Sequence, residues 1–279
     1  LQRSEKYLPY VRQVFREEGL PQDLIFLPFA ESAFTPWAYS HAGAAGMWQF
    51  MPATGRHYGL EVNWWVDERR DPYRSTRAAA RYLQKLHRQF GSWYLALAAY
   101  NAGEGTVQRA LRHSGTNGYY ELCQKTGYLR RETRYYVPKF LAILKIVKNL
   151  EEYDFKKLSL DAQPNLVQVD VPSGTDLGRL CSNIDMSWDG FRKLNPFLRR
   201  QVTPPSESTT VHLPRAKKSL AMSFLDNADT GPYPGYARYR IQRGDSWWRL
   251  ARRFDVPISI LKDIDRKSTR LNSSHYRTS

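Results

Sequence analysis

The spacing of apolar residues changes character once along this chain, near Pro164, and that change constrains the fold more than any other feature. Before it, apolar residues recur at helical intervals and stop signals punctuate them. Tyr7, Leu8, Val11, Val14 and Phe15 share one helical face, and Gly19 followed by Pro21 ends that segment and opens the next. Leu24 to Ala30 reads as a mostly apolar helix ending on Glu31. Asp71-Pro72 has the chemistry of a helix start, with proline in the first turn, and Gly91 closes the segment running through Ala78 to Phe90. Ser92 is placed to cap a buried helix from Trp93 to Tyr100. A long amphipathic helix is expected over Arg131 to Leu150, its apolar side carrying Val137, Leu141, Leu144 and Val147. No segment before about residue 165 alternates with a period of two. The first 155 residues therefore predict an all-α domain.

After Pro164 the pattern is different. Val167, Val169 and Val171 alternate with polar residues, two short helical stretches follow, and Thr209 to Leu213 predicts a second strand beyond a Pro/Ser/Thr-rich stretch from Thr203 to Thr210. Asp226 to Gly235 has linker composition. Tyr239 and Ile241 then open a second unit as a predicted strand. The two units repeat one another at an offset of 70 residues: Val169 aligns with Tyr239, Gly174 with Gly244, Leu180 with Leu250, Ile184 with Phe254 and Leu194 with Ile264. The shared order is strand, glycine turn, helix, turn, helix. The expected division is residues 1–155, 165–215 and 236–264. Asp265–Ser279 reads as a translated sequencing-library adapter and is set aside from fold reasoning. The absence of a leader before Leu1 is taken as a missing N-terminus, and no run of 18 apolar residues predicts a membrane span.

Four short stretches carry the chemistry. They are Glu31-Ser32-Ala33-Phe34, Ala44-Ala45-Gly46-Met47-Trp48-Gln49-Phe50-Met51-Pro52, Ala98-Ala99-Tyr100-Asn101-Ala102-Gly103-Glu104-Gly105 and Glu132-Thr133-Arg134-Tyr135-Tyr136-Val137. Glu31 ends an apolar helix, so its carboxyl is expected in apolar surroundings that raise its pKa. A Glu held protonated near neutral pH can donate to a glycosidic oxygen. Gly43, Gly46 and the Pro52 helix start imply a tight loop presenting Gln49 and Met51. Asn101-Ala-Gly-Glu-Gly reads as a helix break with polar side chains, a cap that is compatible with binding. Glu132 reads as a charge favouring the N-terminus of the last helix. No Asp or Glu lies between Glu31 and Glu61, although a distant acid could still be brought close by the fold.

In this order and spacing the four stretches resemble the soluble lytic transglycosylase domain, with its lysozyme-like all-α fold. The segment Tyr239 to Val256, with Gly244-Asp245-Ser246-Trp247 followed by Leu250-Ala251, resembles a LysM module, a small α+β (βααβ) unit that binds N-acetylglucosamine-containing glycans. The first copy is a divergent relative with Thr175 where the motif has Asp, and the second stops short of its closing strand. The combination looks like the membrane-bound D-type branch of the family. The resemblance implies Glu31 as the single catalytic acid and base. It implies substrate contacts from Ser32, beside the catalytic residue, and from Ser40, Gln49, Met51, Tyr100, Asn101 and Tyr136, and no metal or cofactor. Trp48 stands where many members have Met. The implied reaction cleaves the bond between N-acetylmuramic acid and N-acetylglucosamine and leaves a 1,6-anhydro end. The implied setting is the bacterial cell envelope, in the periplasm, with any membrane association through an N-terminal anchor.

The formal net charge of +15, or +12 without the last fifteen residues, draws such a chain to polyanions. The carboxylates of peptidoglycan stem peptides fit, and no nucleic-acid motif is present. A composition of 42% hydrophobic and 14% aromatic residues is that of a globular protein and argues against disorder. The two cysteines, Cys123 and Cys181, fall in different predicted units and are expected as free thiols. Two other readings stay open: lysozyme-type hydrolysis, which needs a second carboxylate opposite Glu31, and a non-catalytic wall-binding scaffold.

Overall fold

The computed structural model describes residues 1–125, 127–160, 165–204, 207–227, 239–254, 258 and 261. The N-terminal domain is helical, in the order α1 (Gln2–Glu5), α2 (Leu8–Glu17), α3 (Leu27–Glu31), α4 (Pro52–His57), α5 (Pro72–Phe90), α6 (Trp93–Ala102), α7 (Glu104–Ser114), α8 (Tyr119–Gln124) and α9 (Arg131–Lys148). Its core gathers Leu8, Val11, Val14 and Phe15 of α2 with Leu83 and Leu86 of α5, Leu95 to Ala99 of α6, and Val137 and Phe140 of α9. Helix α6 is apolar all round and runs through the middle of the domain, as such a helix must. The all-α expectation for this part of the chain holds.

The expected helix over Leu24 to Ala30 is two pieces, a 3-10 turn Gln22–Phe26 and then α3. Pro28 is the reason. An α-helix running through it would lose an N–H bond and press the proline ring on the carbonyl of Leu24, so α-helical geometry begins only one residue before Pro28. Asp71 caps α5 by accepting from the N–H groups of Tyr73 and Arg74, and Gly91 ends that helix in the left-handed region at φ 65°. Ser92 occupies the N-cap position of α6, but its hydroxyl makes no capping bond. Helix α9 carries Pro138 in its interior. The carbonyl of Arg134, four residues earlier, therefore has no N–H from residue 138. It accepts instead from the Tyr119 hydroxyl at 2.7 Å. The long helix stays continuous past its proline because a side chain from α8 supplies the missing donor.

Beyond residue 165 the order is β1 (Leu166–Val171), α10 (Leu177–Asn183), α11 (Trp188–Leu194), β2 (Thr209–Pro214), α12 (Lys218–Asn227) and α13 (Trp247–Phe254). Strands β1 and β2 pair antiparallel with Val169 opposite Val211, closing a βααβ unit as the pattern predicts. The unit does not end at residue 215: Ala221 of α12 is fully buried in the same core. Nor does it stand apart from the helical domain, because Trp65 and Val66, from the loop before α5, are part of its core. Val66 bridges to Leu198, the Asp67 N–H donates to the Phe197 carbonyl, and the Arg199 N–H donates to the Trp65 carbonyl. The helical-domain sequence pattern gave no sign of this, since a solvent-facing Trp-Trp-Val loop and a docked one look alike.

The strand expected at Tyr239 and Ile241 is absent among the described residues, and Ile241 is 59% exposed. A strand exists only as half of a ladder, and among the described residues no partner is paired with this segment. The glycine turn and helix that follow are present, with Asp245 accepting from the Tyr239 hydroxyl and the Gln242 N–H. Most of the predicted linker and all of Asp265–Ser279 lie outside the described residues. Cys123 and Cys181 are free thiols. No helix among the described residues is long and apolar enough to cross a membrane.

Candidate active site

A cleft of about 770 Å³ lies across the helical domain between the end of α3, the loop from Ser40 to Met51, the end of α6 and the first half of α9. Seven of the eight residues expected to meet substrate line it: Glu31, Ser40, Gln49, Met51, Tyr100, Asn101 and Tyr136. The eighth, Ser32, does not. Its hydroxyl donates to the Met47 carbonyl at 2.9 Å and accepts from the Thr35 N–H, so it ties the chain after α3 to the cleft loop. A substrate contact is not the geometry's role for it.

Glu31 is the last residue of α3, and the chain turns sharply after it through Ala33 and Phe34, both at positive φ. That turn ends the helix with the carboxyl pointed at α9 rather than at solvent. The Tyr136 hydroxyl donates to Glu31 Oε1. Burial pushes the carboxyl up to about 7, outweighing the Tyr136 hydrogen bond and the Lys139 ammonium, which pull it down, while Glu132 pushes it up slightly. Desolvation decides because no cation pairs directly with the carboxylate: Lys139 Nζ is occupied by the Ala30 carbonyl at 2.8 Å. The Tyr100 and Tyr136 phenols are driven well above their ordinary value, first by burial and then by the Glu31 charge. Both stay protonated and act as donors.

The loop from Ser40 to Met51 is held from behind. Gly46 sits at φ 83°, and a β-carbon there would fall 1.8 Å from the Arg69 carbonyl oxygen, so only glycine fits. The buried Arg69 guanidinium makes a two-pronged pair with Asp67, at 2.8 Å each, and donates to the carbonyls of Gly43 and Phe50 from its remaining nitrogen. Trp48, fully buried, stacks on Phe15 and donates its indole N–H to Thr76 at 2.9 Å. Its carbonyl receives the Tyr100 hydroxyl at 2.8 Å. The Ser40 hydroxyl oxygen accepts from the Ala44 N–H, and its own proton remains available to a ligand. Gln49, at φ 50°, donates its amide to the Gly46 carbonyl, which leaves its amide oxygen to the cleft. Asn101 accepts from the Thr133 hydroxyl, and its amide nitrogen has donors to spare.

Three contributors were not anticipated. Arg69 was hidden in an Asp-Glu-Arg-Arg-Asp run that looks like a solvated charge cluster. Lys139 and Tyr135 line the cleft beside Tyr136. Their signal was available: Glu132, Tyr135, Tyr136 and Lys139 fall at i, i+3, i+4 and i+7, one face of α9. Glu132, read as a helix-start charge, also lines the cleft. The distant acid is thus brought in from residue 132. Among the described residues no group of three or more His, Cys, Asp or Glu is placed to hold a metal ion.

The arrangement is a partly enclosed trough of mixed polar and apolar lining, with one carboxyl in it poised near neutrality. Residues 12–123 match the transglycosylase SLT domain, residues 165–230 the LysM-like domain of lytic transglycosylase MltD, and residues 239–264 the LysM domain. The chain thus carries an SLT domain followed by a LysM-like and a LysM domain. Membrane-bound lytic murein transglycosylase D of Escherichia coli is 32% identical over 276 residues, which cover 93% of this chain and 60% of that protein. A putative tributyltin chloride resistance protein of an Alteromonas species is 43% identical over 110 residues, covering 39% of this chain and 53% of its own. Membrane-bound lytic murein transglycosylase C of Actinobacillus succinogenes is 32% identical over 121 residues, 38% of this chain and 34% of the relative. The 70 kDa soluble lytic transglycosylase of Escherichia coli superimposes over 55% of this chain and 25% of its own, with 26% identity and a TM-score of 0.43. The chain spans about three-fifths of the length of the D-type relative.

Proposed function

We propose that this SLT-domain protein is a peptidoglycan lytic transglycosylase that cuts the β-1,4 bond between N-acetylmuramic acid and N-acetylglucosamine and leaves 1,6-anhydro ends. The observation that carries the reading is Glu31: a carboxyl at about 7, hydrogen-bonded to Tyr136, inside a cleft large enough for sugar rings. Protonated Glu31 donates to the oxygen leaving C1 of the muramyl sugar. The substrate's own N-acetyl group, oriented by the Ser40 hydroxyl, supports the positive charge at C1. Glu31, now anionic, takes the proton of the C6 hydroxyl as that oxygen bonds to C1. The two transfers balance, so Glu31 ends the turnover protonated as it began, and no water enters. Tyr136 holds the carboxylate in the interval, Gln49, Met51 and Asn101 line the bed for the sugars, and Tyr100 pins the loop that carries Gln49 and Met51.

A second reading rests on one observation. Glu132 lines the same cleft, and glycosidases that hydrolyse use two carboxylates. If Glu132 activates water, the product is a reducing end. Muropeptides released from purified sacculi, identified by mass spectrometry for the chain and for Glu31→Gln and Glu132→Gln, separate the two: anhydro ends that need Glu31 support transglycosylation, and reducing ends that need both carboxyls support hydrolysis.

The same proposal takes residues 1–155 as the catalytic domain, the 165–230 unit and the 239–264 module as wall-binding parts that raise its concentration along a strand, and the periplasmic cell envelope as its place of action. Glycan strands, not nucleic acid, are the partner.

A further inference from the structure

The docking of the LysM-like unit on the SLT domain assembles a second polar surface, outside the cleft. Arg70, in the turn just before α5, lies over the ring of Tyr39 at 5.8 Å. Tyr39 is 61% exposed and adjoins Ser40, so this pair sits at the lip of the cleft. From the docked unit, Arg192 lies over Trp37 at 4.7 Å and Arg200 over Trp64 at 4.0 Å. Arg199, exposed, donates to the carbonyl of Asn63, the neighbour of Trp64, at 2.6 Å. Burial is the first cause that disfavours the Arg70 charge, Asp67 opposes it, and the nearby Arg199 and Arg192 add to it.

Four guanidiniums held this near one another repel. The usual remedy is an interleaved carboxylate. Here Arg70 has only Asp67, at 3.9 Å, and Asp67 is already engaged by Arg69. Among the described residues, Arg192, Arg199 and Arg200 have no carboxylate within ion-pair distance. The aromatic faces of Trp37, Tyr39 and Trp64 hold the guanidinium planes in place but do not neutralise them, and each fork is left with edge N–H groups for a ligand. An arginine fork set on an aromatic face is suited to carboxylate.

We infer that the junction of the two domains is a binding site for the carboxylates of the acidic peptides borne by the glycan, with Arg70, Arg192, Arg199 and Arg200 as the anion contacts. The inference rests on the peptidoglycan reading of the cleft. It deepens that reading, because a glycan seated beside Ser40 and Tyr39 would carry its peptide substituents toward Arg70 and out over the docked unit. The LysM-like unit then contributes to substrate choice through its arginines, whether or not it holds sugar itself.

The test uses the whole chain with Glu31→Gln, so that strands are bound and not cut. Its probes are glycan strands with intact stem peptides, strands stripped of peptides by an amidase, and peptide-bearing strands whose carboxylates have been amidated. The unaltered junction should bind the carboxylate-bearing strands about tenfold more tightly than the other two, and the margin should shrink as salt rises. Adding Arg192→Gln and Arg199→Gln should erase the margin and leave affinity for peptide-free strands unchanged. Arg192→Lys with Arg199→Lys keeps the charge and should keep part of the margin, which separates a charge effect from loss of the junction's fold. Equal binding of all three strand types by the unaltered junction overturns the inference, as does a margin that survives both glutamines. Cutting by the parent chain is scored separately on peptide-free strands: if it is absent while the binding margin stands, the catalytic reading fails and the anion site does not.

Discussion

Replacing Glu31 by Gln should stabilise the protein at neutral and alkaline pH while abolishing its chemistry, and the size of the gain follows from the site. The carboxyl rises from 4.5 to about 7 on folding because burial outweighs every partner that favours its charge. At roughly 1.4 kcal/mol per unit, ionised Glu31 costs the folded state about 3 kcal/mol. The sign follows from the direction of the shift. Below the unfolded value both states are protonated and nothing is lost. As pH rises toward 7 the unfolded chain ionises first and gains on the folded one, and above the folded value the loss is complete. Gln does not titrate and can still accept the Tyr136 hydroxyl. Urea unfolding followed by tryptophan fluorescence, at several pH values from about 4 to 8, should show Glu31→Gln level with the parent at the acid end and about 3 kcal/mol more stable at the alkaline end. A pH-independent difference, or a variant weaker than the parent at pH 8, would refute the claim that Glu31 is desolvated. It would remove the physical basis for a general acid at that position.

Tyr136→Phe removes the hydrogen bond that favours the Glu31 anion, so the alkaline limb of the kcat/KM profile should move to higher pH. The rate should fall by on the order of tenfold or more, since a hydrogen bond to a charged group is worth roughly 1.5–3 kcal/mol. A rate loss with no movement of the limb would make Tyr136 merely structural. Gly46→Ala sets a methyl against the Arg69 carbonyl at a left-handed backbone position and should cost more than ~2 kcal/mol in thermal unfolding, with activity lost through the displaced loop. Trp65→Ala should lower stability by about 3–5 kcal/mol although the residue lies outside the LysM-like segment, because its side chain fills that unit's core. Unchanged unfolding would mean that the two domains are independent.

What the sequence revealed and what it hid divide along a physical line. The cleft was legible because its parts are local: a Glu at the end of an apolar helix, a glycine loop, a Tyr-Asn helix break. None of these decides a site alone, but their order and spacing resemble the SLT domain, and seven of the eight residues that this resemblance implied do converge. Ser32 was misjudged because a hydroxyl beside a catalytic residue looks the same whether it meets a ligand or a carbonyl fifteen residues away. Glu132 and Lys139 needed the packing of α9 across α3 before their place in the cleft could be seen. The docking of Trp65 and Val66 was not legible at all, since an exposed apolar loop and an interface share one pattern until the partner surface is known. The strand at Tyr239 failed for the converse reason: alternation marks a segment that can pair, and pairing takes a second strand.

The central claim is that one carboxyl, Glu31, performs both proton transfers and that the muramyl C6 hydroxyl, not water, closes the product. Mass spectrometry of the muropeptides released from sacculi in water enriched in oxygen-18 tests it in one experiment. The account predicts 1,6-anhydro ends without incorporated label, unaffected in kind by Glu132→Gln and missing with Glu31→Gln. Labelled reducing ends that disappear with Glu132→Gln would contradict it.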